Sequence, residues 1–191
     1  MRMGLVAGCA LAVGLVACAQ PGDSGAFDSG GGEATRVPSE TPAAGETFED
    51  PEGSYEIEVD PDWEAHHGEI VAEVEGWVVA PPQDGFAPNV NVLTQRAPGM
   101  DLSEYLDVSA EQGSAIISDF ELVTSDVVQG TESELGLLEY TGTQNGLELH
   151  FLATVAVRDG TAVVATFTAP PDVFDALRSE IEPYLLTLRA T

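Results

Sequence analysis

Beyond about residue 50, the apolar positions of this 191-residue chain come in short runs that alternate with polar ones and stop at turn residues, the period of strands. Tyr55-Glu56-Ile57-Glu58-Val59 sets three apolar side chains on one face and two acids on the other, and Asp60-Pro61-Asp62 ends it. Glu69 to Val74 and Trp77 to Ala80 flank Glu75-Gly76, the composition of a two-residue hairpin turn, and Pro81-Pro82 forbids continuation. Asn89 to Thr94 predicts a further strand. A meander follows: Phe120 to Val128, Leu135 to Thr143, Leu147 to Arg158 and Thr161 to Ala169, with turn signals at Asn145-Gly146 and Asp159-Gly160. In the longest of these, Glu148, His150, Leu152, Thr154, Ala156 and Arg158 share a face mixed enough to be partly covered.

Two segments change period. Asp101 with Glu104 three residues on reads as a capping box, and Leu102, Tyr105, Leu106, Ser109, Gly113, Ile116 and Ile117 fall on one helical stripe. Pro170-Pro171-Asp172 opens a second helix whose apolar positions are Phe174, Leu177, Ile181, Leu185 and Leu188, with Pro183 expected to kink or restart it. The predicted fold class is therefore α+β, an antiparallel sheet of about six or seven strands packed by two main helices.

The N-terminal region follows other rules. Met1-Arg2-Met3 is a short positive stretch, and Gly4 to Val16 is apolar and uncharged, which fits an export signal. The run of about 14 residues is shorter than the roughly 20 that a membrane-spanning helix needs. Leu15-Val16-Ala17-Cys18 resembles the lipobox of bacterial lipoproteins, and the resemblance names Cys18 as the lipidation site, a cysteine carrying palmitate-like acyl chains. Val6-Ala7-Gly8-Cys9 has the same pattern, but cleavage there leaves too short an apolar core before it. From Ala19 to about Phe48 the chain is rich in Gly, Ser, Thr, Pro and acids and lacks any apolar period, the composition of a disordered tether. Some thirty flexible residues reach on the order of 30 Å. The expected organisation is a lipoprotein signal peptide at 1–17, an acidic tether at 18–50 and a folded domain at 51–191.

Composition narrows the function. The chain carries 33 Asp plus Glu against 6 Lys plus Arg, a formal charge of −27, and all six cations are arginines. Nucleic acid is excluded as a partner, and anionic lipid headgroups would repel the domain, so the expected anchor to the membrane is Cys18 alone. Cys9 and Cys18 are the only cysteines, so no disulfide staples the folded part.

The order of hairpin, strand, long helix, antiparallel meander and C-terminal helix resembles the PsbP-like α/β/α sandwich, and within it the LpqN-type lipoproteins of actinobacteria. The resemblance runs from about Tyr55 to Arg189. It is carried by Pro61-Asp62-Trp63, by Ala87-Pro88-Asn89-Val90-Asn91-Val92 before Asp101-Leu102-Ser103-Glu104-Tyr105-Leu106, by Leu138-Glu139-Tyr140-Thr141 through Phe167-Thr168-Ala169, and by the last helix. Asp62 stands where the family has a glycine. The resemblance implies a binding or assembly accessory of the cell envelope with no shared catalytic residues, and a weak link to envelope lipids or glycolipids.

The chemistry-bearing residues fit that expectation. No Gly-x-Ser-x-Gly elbow exists, and Gly113-Ser114-Ala115 lies within a predicted helix. His66-His67 between Glu64 and Glu69 is an unlikely metal set, because neighbours in an extended segment point to opposite faces. Glu132 with Glu134 and Asp60 with Asp62 are carboxylate pairs of the kind that chance supplies in so acidic a chain. Trp63, Trp77 and Phe86 are candidates for an apolar groove that takes an acyl chain or a peptide. The expectation is a non-enzymatic, extracytoplasmic, membrane-anchored module without cofactor or metal, whose partner is an envelope lipid or protein. The alternatives are a small exported hydrolase using His150 or His66, and an acidic surface protein with no specific ligand.

Overall fold

The computed structural model describes residues 45–67, 76–83 and 85–191. Its elements are β1 (Glu46–Glu49), β2 (Tyr55–Val59), β3 (Glu64–His67), β4 (Gly76–Val79), β5 (Asn89–Arg96), α1 (Leu102–Ile116), β6 (Ser118–Gln129), β7 (Glu134–Gln144), β8 (Leu147–Arg158), β9 (Thr161–Ala169), α2 (Pro171–Leu185) and β10 (Arg189–Ala190). Seven strands form one antiparallel sheet in the order β3-β4-β5-β9-β8-β7-β6, and β1-β2-β10 form a small second sheet. No helix among the described residues is long and apolar enough to cross a membrane.

The large sheet separates two cores. On one face α1 packs through Tyr105 and Leu106 against Leu138, Tyr140 and Phe151. On the other, α2 and the small sheet bring Phe174, Leu185, Tyr55 and Ile57 against Leu152 and Phe167. Because β7, β8 and β9 carry buried residues on both faces, they read as nearly continuous apolar runs and not as clean alternations.

Local chemistry explains the connections. Asn145-Gly146 and Asp159-Gly160 all have positive φ, as type I′ hairpin turns require. Asp101 accepts from the Glu104 N–H at 2.9 Å while Glu104 accepts from the Asp101 N–H at 3.2 Å, so the capping box is complete. Asp101→Ala is expected to cost about 1 kcal/mol in urea unfolding, and a loss below a few tenths would refute that role. Asp62, in the family's glycine position, has an ordinary negative φ and donates its N–H to Asp60 Oδ1 at 2.8 Å, so glycine is not needed there.

Several boundaries differ from the pattern-based reading. Glu46–Glu49, placed in the tether, is a strand paired with β2 that buries Phe48. Glu64–His67, read as an extended segment but not as a strand of the sheet, pairs with β4, and Gly76 opens β4 opposite His67. The expected strand Glu69 to Val74 and Glu75 lie outside the described residues. Both short strands were missed because neither shows an apolar alternation: one has a single apolar side chain and the other is largely exposed. Ile116 is 58 % exposed, since the helix ends there and Ile117 turns inward in extended conformation in its place. α2 runs through Pro183, whose ring costs it one bond of the last turn, and Leu188 is buried beyond the helix end.

Candidate functional site

Cys18 lies outside the described residues. Of the aromatic trio, Trp63 packs on the α2-side core with its ring 6.2 Å from Phe167, whereas Phe86 is buried in the α1-side core. Trp77 sits in β4 opposite His66 and Asn91. Trp63 and Phe86 are thus on opposite faces of the large sheet, and the expected groove shared by the three is not formed.

A different groove is present. Between β1 and β3, Phe48, Val59, Trp63, Ala65 and His67 line an open depression of about 440 Å³, with Glu46 and Glu49 along its rim. The volume is within the usual range of small-molecule sites. The His67 ring stacks on Phe48 with centroids 4.3 Å apart and planes 6° apart, which fixes the imidazole as part of the wall. His66 is turned to Glu64, 3.5 Å away, so the two adjacent histidines serve different surroundings. Among the described residues no three His, Cys, Asp or Glu are arranged to hold a metal. The groove combines the Phe48–His67 stack, whose Phe48 side is covered, with the exposed carboxylates of Glu46 and Glu49.

The third histidine belongs to a cluster that the sequence reading missed. Glu139 on β7 is only 2 % exposed; its Oε1 accepts from His150 Nε2 and Arg178 Nη1, both at 2.9 Å, and its Oε2 accepts from Arg178 Nη2 at 2.8 Å. Arg178 also reaches Glu182 one turn along α2 at 3.4 Å. Burial alone would lower the Arg178 pKa, but the carboxylates of Glu139 and Glu182 outweigh it and hold the guanidinium above its ordinary value. The His150 ring lies flat on Phe174 with centroids 3.7 Å apart. Glu139 and His150 are committed to docking α2 on the sheet, and His150 has its Nε2 turned to a carboxylate and not to a nucleophile. The signal in the sequence was Glu139 itself, an acid inside the apolar run Leu135 to Tyr140, which demands a buried cation.

The remaining candidates are also structural. Glu132 accepts from Arg189 Nη1 at 2.5 Å, and Arg189 Nη2 bonds Glu56, which ties β10 to the loop before β7. Gly113 allows close packing: a Cβ there would lie 2.8 Å from the Phe120 ring. Ser109 lines a cavity of about 20 Å³ under α1, with Tyr105, Leu138 and Tyr140, and its Oγ has no hydrogen-bond partner within the protein. That space suits one water and not an acyl chain.

Burial pushes the Tyr140 phenol above its ordinary range, and Tyr184 is raised too, by burial first and then by Asp60, Glu180, Glu58 and Asp62. Phenols whose pKa is raised by folding leave stability intact below about pH 10 and withdraw it as pH rises further. Tyr140→Phe is expected to remove part of that alkaline loss in urea midpoints taken between about pH 8 and about pH 11. An unchanged slope would refute it.

No family model and no curated protein sequence matches this chain. Solved structures do. The cyanobacterial PsbP protein CyanoP from Synechocystis matches with a TM-score of 0.59 at 15 % identity over 85 % of this chain and 98 % of its own. LpqN of Mycobacterium tuberculosis, described as involved in cell envelope biogenesis, matches with a TM-score of 0.56 at 13 % identity over 76 % of this chain and 90 % of its own. The Pseudomonas aeruginosa protein PA94, of unknown function, matches with a TM-score of 0.55 at 13 % identity over 78 % of this chain and 99 % of its own. With a large antiparallel sheet between a helix on one face and a helix and small sheet on the other, the chain has the PsbP-like fold.

Proposed function

We infer that the protein is a lipid-anchored, extracytoplasmic binding module of the cell envelope, held to the membrane through Cys18, whose β1–β3 groove takes an envelope lipid or glycolipid. The observation that carries this reading is the position of the groove: its wall includes β1, the strand into which the expected tether runs, so a ligand would be held at the end of the domain from which the tether leads to the anchor. The lipobox-like Leu15-Val16-Ala17-Cys18 supports the anchor. The fold shared with LpqN, whose description names envelope biogenesis, supports the setting. Trp63 and the exposed His67 ring offer a partly aromatic wall, and Glu46 and Glu49 offer acceptors for hydroxyls of a headgroup, so the chemistry is recognition without turnover.

The test is native mass spectrometry of the full mature chain, purified in nonionic detergent from its own envelope. A stoichiometric lipid adduct that is lost in Trp63→Ala is expected. An adduct-free protein, or one whose adduct survives Trp63→Ala, overturns the groove assignment. For the anchor, Cys18→Ala is expected to move the protein from the membrane to the soluble fraction, because two or more acyl chains hold durably and none holds at all. Retention of the variant on membranes refutes it.

A further inference from the structure

The large sheet ends at β6, and among the described residues nothing pairs with the outer edge of that strand. Four of the five most exposed large hydrophobic side chains among the described residues, Ile116, Leu122, Val123 and Val127, lie on β6 or immediately before it. Pairing register sorts the faces, since residues opposite one another in a ladder share a side. Leu122 is opposite Tyr140 and Val127 opposite Gly136, both on the α1 side, where a Cβ at Gly136 would meet Leu106. Glu121 and Asp126 are opposite Thr141 and Leu137, and Leu137 packs in the α2-side core. Leu122 and Val127 thus lie on the α1 side and Glu121 and Asp126 on the α2 side; within Thr124–Gln129 each side carries one valine, Val127 and Val128, and Asp126 is the acid.

The ladder shifts register between Ser118 and Glu121 and again between Leu122 and Thr124, but from Thr124 to Gln129 it runs in step with β7. Such a six-residue stretch is a full strand's length and can template another strand. The acids decide what that strand is. A second copy of this chain would bring a second charge of −27 to the edge, whereas a cationic strand is attracted by Asp126 and by the net charge of the molecule. We propose that the Thr124–Gln129 edge of β6 is a docking site for an extended protein segment that alternates basic and aliphatic residues and adds to the sheet as an eighth strand. This site is on the opposite edge of the large sheet from β3 and its groove, so either can fail alone.

The probe is an acetylated, fluorescent Lys-Val-Lys-Val-Lys-Val-Lys peptide titrated into the full-length chain in nonionic detergent. Saturable binding is expected, weakened about tenfold or more by added salt, with amide exchange slowed over Thr124–Gln129. Val127→Lys and Asp126→Lys are each expected to reduce affinity about tenfold or more while leaving the melting curve near that of the parent, because both side chains are exposed. Equal binding of the Glu-Val counterpart, slowed exchange at β1 or β3 in place of β6, or dimerisation through β6 without peptide binding would each overturn the proposal.

Discussion

Arg178→Ala is expected to lower the unfolding free energy by about 3 kcal/mol, whereas the double change Glu139→Leu with Arg178→Met stays within about 1 kcal/mol of the parent. The asymmetry follows from burial. Glu139 is 2 % exposed and accepts three bonds, two of them from Arg178. Removing the guanidinium leaves a carboxylate stranded in the α2-side core with only His150 to answer it. Removing both charges also removes the cost of desolvating them, and aliphatic side chains of similar volume fill the space. The lower end of the usual range applies because the Arg178 side chain is 39 % exposed, so water entering its place partly solvates the Glu139 carboxylate. Urea titrations of the single and double variants check the point; a double variant as unstable as the single one would mean that the pair itself, and not its breaking, stabilises the fold.

The second large effect is expected at Phe174. Its ring is fully buried, stacked on His150 at 3.7 Å and facing Phe167 at 5.3 Å, so it fills the junction between α2 and the β8–β9 ladder. Phe174→Ala deletes those contacts and leaves a cavity that neighbours on a rigid sheet cannot close, a loss of about 4 kcal/mol. Phe174→Leu, which keeps most of the volume, should lose about half of that. His150 then has no ring above it, so its reactivity toward diethyl pyrocarbonate is expected to rise in the alanine variant well below the unfolding midpoint. An alanine variant within 1 kcal/mol of the parent would show that α2 repacks freely. Because Phe174 touches His150 and His150 touches Glu139, this loss and that of Arg178→Ala will not add.

What could be read without coordinates was what depends on near neighbours in the chain. Asn145-Gly146 and Asp159-Gly160 require only their own backbone angles to make hairpins, and Asp101 with Glu104 requires only one helical turn. The meander and both helices were legible for that reason. β1 and β3 were not, because pairing to β2 and β4, rather than apolar alternation, is what makes them strands. The groove depended on those two strands and was hidden with them; Trp63 was singled out, but it lines the groove with Phe48 and His67, while Phe86 lies in the α1-side core. The clamp of Glu139, His150 and Arg178 joins positions up to 39 residues apart, a distance over which local spacing has nothing to say.

β2 is flanked on one side by β1, a few residues earlier, and on the other by β10, with Glu56 opposite Arg189, 133 residues later. A strand placed near the start of the domain therefore waits for a partner made near its end. While the ribosome still holds the segment around Arg189, the small sheet lacks its third strand. Time thus enters the architecture: the meander joins neighbours in the chain and can assemble as it emerges, whereas the small sheet is complete only once Ala190 is available.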